Sequence, residues 1–148
     1  IVNKRDEQFA RSAEATDFQA RLRDELPGLD FAPILFISAA KGRNVKKILP
    51  LALEIAEARK TRVENKELTE LLPQLIRWHK PSRGKGTEHP VIKRIEQVEA
   101  DPPHFIVWIG REQSLHFSYV RFIENRLREI FNFAGTPISI EVRQEKAK

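Results

Sequence analysis

Near residue 60 the spacing of apolar residues changes character, which confines the chain to two α/β patterns in succession rather than one repeated layer. Before that point, Ile1-Val2 reads as the end of a buried strand. Thr16 or Asp17 can cap a helix reaching about Leu26, where Pro27-Gly28 stops it. Residues 33–37 form a short apolar run suited to a second strand. Gly42-Arg43-Asn44 then opens a helix to about Lys60, with Val45, Ile48, Leu49, Ala52, Leu53 and Ala56 expected on its buried face and a kink expected at Pro50. Strand, helix, strand, helix is the tail of an α/β domain.

From Thr61 onward, Leu68, Leu71, Leu72, Leu75 and Ile76 give an amphipathic helix that ends near His79, with Pro73 expected to interrupt it. Residues 81–86 form a basic loop, Pro-Ser-Arg-Gly-Lys-Gly. Residues 91–98 and 105–109 read as strands around the Asp101-Pro102-Pro103 turn, 115–131 as a long helix and 137–142 as a final strand. The order αββαβ defines an α+β unit over 61–148, separate from 1–60. Tyr119, Phe122, Ile123, Leu127 and Ile130 recur at helical spacing as core, and Trp108, inside an apolar strand, is expected to join them. Trp78, beside the basic loop, suits either the core or an RNA or domain contact.

The chain has no cysteine, which excludes disulfides and thiolate metal sites and fits a reducing cytoplasm. No run of about 18 apolar residues is present, nor a basic stretch leading into an apolar one, so neither a membrane span nor a signal peptide is expected. Its four histidines lie outside any ligand-like grouping, so no metal site is expected, and Glu96, Glu99 and Asp101 read as a solvated edge. No nucleophile is paired with a base, which argues against a stand-alone enzyme. The net charge of +5 is mild, but residues 77–94 concentrate Arg77, Lys80, Arg83, Lys85, Lys93 and Arg94 against Glu88 alone.

Two short strings carry the chemistry of the first half. Asn3-Lys4-Arg5-Asp6 follows one apolar strand end, and Ser38-Ala39-Ala40 follows the other, with a helix between them. A guanine presents two adjacent N–H donors beside a carbonyl. The Asp6 carboxylate can accept both donors, the Lys4 stem can lie against the base and Asn3 can brace the loop, while a turn at Ser38-Ala39 offers a backbone N–H to the carbonyl.

These residues resemble the bacterial double-GTPase Der (EngA) family of large-subunit ribosome assembly, across essentially the whole chain. The most specific strings are Gln97-Val98, Pro102-Pro103-His104-Phe105, the helix from Phe117 to Arg128, and Phe133-Ala134-Gly135-Thr136-Pro137-Ile138. The resemblance implies the C-terminal part of a P-loop GTPase fold over 1–60, followed by a KH-like domain over 61–148. It also implies GTP or GDP as the ligand of the parent protein, preceding G domains, and contact with rRNA in a 50S precursor. The phosphate-cradling loop, the switch threonine and the Mg²⁺-coordinating Asp-x-x-Gly of the family lie upstream of the matching segment, so this chain alone is not expected to hydrolyse GTP.

An RNA-binding KH domain ordinarily clamps the backbone with a Gly-x-x-Gly loop, and Gly84-Lys85-Gly86 has other spacing. The basic cluster instead suits phosphate contacts to folded RNA, and Arg94 stands where the family places an aromatic. A second reading makes the KH-like domain an intramolecular brace that senses the nucleotide state of the G domains. Convergence of Arg77, Lys80, Lys93 and Arg94 on one face would favour RNA, and their dispersal would favour the brace.

Overall fold

The computed structural model describes residues 1–3, 12–81 and 89–145. It divides into two compact units, one of residues 1–58 with 134–136, the other of residues 59–133 with 137–148.

In the first unit, Val2 and Phe36 form a parallel bridge in which the Val2 N–H donates to Leu35 O and the Ile37 N–H to Val2 O, both at 2.8 Å. Parallel neighbours need a long crossover, and helix α1 (Ser12–Glu25) supplies it. A 3-10 turn (Val45–Lys47) leads into α2 (Ile48–Ala58), so Pro50 falls in the first turn, where its missing N–H costs no hydrogen bond and a kink is not required. Only part of the expected face is turned inward: Val45, Leu49 and Leu53 are 38%, 66% and 57% exposed, whereas Ile48 and Ala52 of that face line a cavity. Leu51 and Ile55, outside the expected set, join them there with Ile1, Pro33 and Leu35, and Ala58 is fully buried. Because α2 is apolar on both sides, periodicity alone could not choose between them.

The second unit begins with α3 (Asn65–Trp78), whose Glu67 carboxylate accepts the Glu64 N–H at 3.0 Å in a capping box. The helix runs unbroken through Pro73. Thr69 and Pro73 are both exposed, so water can satisfy the carbonyl that proline leaves without a donor. Strands β1 (Ile92–Ala100) and β2 (Pro103–Ile109) pair antiparallel, helix α4 (Phe117–Ile130) follows, and β3 (Ser139–Gln144) returns parallel to β2. The order along the sheet is β1-β2-β3. Shifts in register leave Lys93 and Val98 without ladder partners, so β1 carries two irregularities and does not alternate strictly.

Leu68, Leu71 and Leu75 of α3 and Tyr119, Ile123 and Leu127 of α4 close over Ile92, Ile95, Phe105, Val107 and Ile109 of the sheet. Phe122 only packs against this core, and Ile130 is 47% exposed at the last turn of α4. Trp108 departs from the expected core position. Alternation with Phe105, Val107 and Ile109 turns it, with His104 and Ile106, to the face away from the helices.

Tyr119 is fully buried and donates its hydroxyl to His79 O at 2.9 Å, and burial pushes its phenol up to about 12. A phenol raised from its ordinary value of 10.0 contributes stability that is fully present below that pH and is lost as pH climbs toward about 12. Stability to urea is therefore expected to fall across that window, and less so in Tyr119→Phe. Tyr119 is the only tyrosine, so phenolate absorbance reports on it alone. Equal alkaline losses in the two proteins would contradict the assignment.

Candidate functional site

In the first unit the two strings meet. Pairing of Val2 with residues 35–37 sets Asn3 beside Ser38-Ala39, and the Ala39 N–H donates to Asn3 Oδ1 at 3.1 Å. The turn is held by Ser38, fully buried, whose N–H donates to Arg43 O at 3.0 Å and whose Oγ accepts the Lys41 N–H at 3.3 Å. Asn44 sits at φ 59° and donates its side-chain amide to Phe36 O at 2.9 Å, which locks the far end of the turn. The N–H expected to reach a guanine carbonyl thus has Asn3 Oδ1 as its acceptor, and a base would have to replace that exposed contact. Lys4 and Asp6 lie outside the described residues. Among the described residues, no group of three or more His, Cys, Asp or Glu is placed to hold a metal ion, and no helix is long and apolar enough to cross a membrane.

In the second unit the basic residues fall on two faces. Arg77 lies in the last turn of α3 and Lys80 just beyond it, both exposed. Trp78 between them is 52% exposed, with the Arg126 guanidinium 5.4 Å from its ring centroid and 5.5 Å from that of Phe122. The His79 ring stacks on Tyr119 at 5.7 Å and lies 5.4 Å from Phe122. Arg83 and Lys85 lie outside the described residues.

Lys93 and Arg94 are exposed on β1 between the core residues Ile92 and Ile95. Arg94 belongs to the sheet face away from the helices, where register aligns it with Trp108 and Arg143, and aligns Glu96 with Ile106 and Glu141 in the next row. The Arg94 guanidinium stands 4.5 Å over the Trp108 ring, and Trp108 Nε1 donates to Glu96 Oε1 at 2.6 Å. Arg143 donates twice to Glu141, at 2.7 and 2.8 Å, and these hydrogen bonds hold the Glu141 carboxyl below its ordinary range. His104 Nε2 lies 3.7 Å from Glu141. Ile106 beneath them is only 3% exposed. The charges of this face largely satisfy one another. The cation over Trp78 was not foreseen, because Arg126 looked like one polar position of an amphipathic helix and nothing in the spacing ties it to α3.

The sheet order, the parallel return of β3 and the αββαβ sequence define a KH-like α/β unit. A model of the KH-domain-like C-terminal region of EngA bacterial GTPase enzymes matches residues 62–143, and the chain belongs to that family. It is 36% identical over 146 residues to the GTPase Der of Geobacillus sp. (strain WCH70), covering 99% of this chain and 33% of the relative. Against the GTPase Der of Lactobacillus delbrueckii subsp. bulgaricus it is 38% identical over 145 residues, covering 98% and 33%. With that of Staphylococcus carnosus it shares 35% identity over 144 residues, covering 97% and 33%. The chain therefore spans about a third of the length of these relatives.

Proposed function

We propose that this chain is the carboxy-terminal region of a cytoplasmic GTPase that acts in assembly of the large (50S) ribosomal subunit, and that its KH-like unit contacts rRNA. The match over residues 62–143 to a region named for EngA GTPases carries the reading, and relatives named GTPase Der along the whole chain support it. In this account residues 1–60 are the tail of the second GTPase domain, with Asn3, Lys4, Asp6, Ser38 and Ala39 facing the guanine of GTP or GDP. The phosphates and Mg²⁺ would be held by preceding G-domain segments, since these 148 residues contain no phosphate-binding loop. Residues 61–148 are the rRNA-contacting domain, with Arg77, Lys80, Arg83, Lys85, Lys93 and Arg94 as its phosphate contacts.

A second reading, the intramolecular brace, draws on two observations: the basic residues divide between the end of α3 and the β1 sheet face instead of converging, and the face bearing Trp108 and Ile106 is capped by charges that pair among themselves. Such a face suits a protein neighbour better than a polyanion. Cosedimentation of the purified chain with large-subunit precursor particles tests the primary reading. The chain is expected to travel with the particles at low salt and to be released as salt rises. Absence from the particle fractions at low salt would contradict it.

A further inference from the structure

We infer that Trp78, held against Arg126 at the end of α3, is a stacking site for an unpaired base of RNA. The inference rests on the rRNA reading above and deepens it. The leucines of α3 at 68, 71 and 75 are fully or nearly fully buried, whereas the largest side chain of the helix is 52% exposed in its last turn. A lone exposed apolar side chain is ordinary, so the charged groups around this one carry the argument. Among the described residues, the group placed over the ring is a cation. Arg126 lies 5.4 Å from the ring, and Arg77 and Lys80 flank it in the chain.

Arg126 is fixed between Trp78 and Phe122 while Nη1 donates to Glu129 Oε2 at 2.6 Å, and its Nε is buried with no hydrogen-bond partner. On the core side, His79 stacks on Tyr119, whose hydroxyl is bonded to the His79 carbonyl. A half-exposed indole, a guanidinium over its ring and two flanking cations match what a single-stranded nucleic acid requires: stacking for a base, and charge for the phosphates on either side. Every base has a π-face, so the site selects for an unpaired nucleotide and not for a sequence.

The probes are a ten-residue oligoadenylate RNA and the same strand annealed to its complement, titrated into the intact chain and followed by anisotropy and tryptophan emission. Trp78→Ala is expected to weaken single-strand binding about 10-fold, to affect the duplex little, and to leave the salt slope unchanged because no charge is removed. Trp78→Phe is expected to retain most of the affinity while losing the emission change, and it controls for any disturbance of α3. Wild-type binding that Trp78→Ala leaves intact would overturn the stacking site and spare the rRNA reading. If the wild-type chain bound neither the single strand nor a structured rRNA fragment, both would fall. Unchanged RNA affinity with weaker association to the GTPase domains of the Geobacillus relative would make Trp78 a protein contact and overturn the inference.

Discussion

Truncation of Phe105 to alanine is expected to cost about 3–5 kcal/mol, enough to unfold much of the KH-like unit. Phe105 stands on β2, the central strand, is fully buried, and meets Phe133 edge to face with centroids 5.8 Å apart at 89°. Removing the ring takes away that contact and leaves a void under α3 and α4 that neighbouring helices cannot close without leaving the sheet. Leu49→Ala and Ile130→Ala, at side chains 66% and 47% exposed, should each cost less than about 0.5 kcal/mol. Urea unfolding followed by circular dichroism gives all three values. A loss under about 1 kcal/mol for Phe105→Ala would mean that the core described here is not the one that holds the unit together.

Replacing Gln97 by leucine is expected to cost about 2–4 kcal/mol although it conserves volume and adds apolar surface. Gln97 is 8% exposed on the core side of β1. Its Oε1 accepts the Val63 N–H at 2.7 Å and its Nε2 donates to Thr61 O at 3.0 Å, so one amide satisfies the backbone that leads into α3. Leucine strands a donor and an acceptor in a place water cannot easily reach. Glutamate would keep the bond to Val63 but set a carboxylate oxygen against the Thr61 carbonyl. Thermal melts of Gln97→Leu and Gln97→Glu check this, and a leucine variant as stable as wild type would show that the link carries no weight.

Much of the second unit was legible because most of its buried apolar residues fall on one face of each element. Tyr119, Ile123 and Leu127 fall on one stripe of α4, and Phe105, Val107 and Ile109 on one side of β2, so period alone gives their direction. Trp108 was misread because it stands among apolar neighbours in sequence, while the pleat turns it to the opposite side. Strand β1 was harder, since the unpaired Lys93 and Val98 break the alternation on which a face is read. In α2 the difficulty was composition: Leu49 and Leu53 look as buriable as Leu51 and Ile55, and only the location of the neighbouring strand decides.

The site divides in the same way. Asn3 and Ser38-Ala39 were found by residue type, yet the bond from the Ala39 N–H to Asn3 is a matter of strand register that no spacing encodes. The basic residues were visible as a run, but a run in sequence became two faces once Arg77 and Lys80 ended a helix while Arg94 entered a strand beside Trp108. Gln97 was noticed only as part of a family string; a lone glutamine two residues from Ile95, at a core-facing strand position, was the available signal.

The most direct test of rRNA contact is the salt dependence of binding between this chain and a folded 23S rRNA fragment, measured on wild type, on Arg77→Glu with Lys80→Glu, and on Lys93→Glu with Arg94→Glu. If about four phosphates are neutralised, the log–log slope should be roughly −3, and each pair of reversals should flatten it by one or two while the circular-dichroism spectrum is retained. A wild-type slope near zero, or unaltered RNA affinity at physiological salt in both double variants together with weaker binding to the preceding G domains, would contradict the account and leave the KH-like unit as a brace.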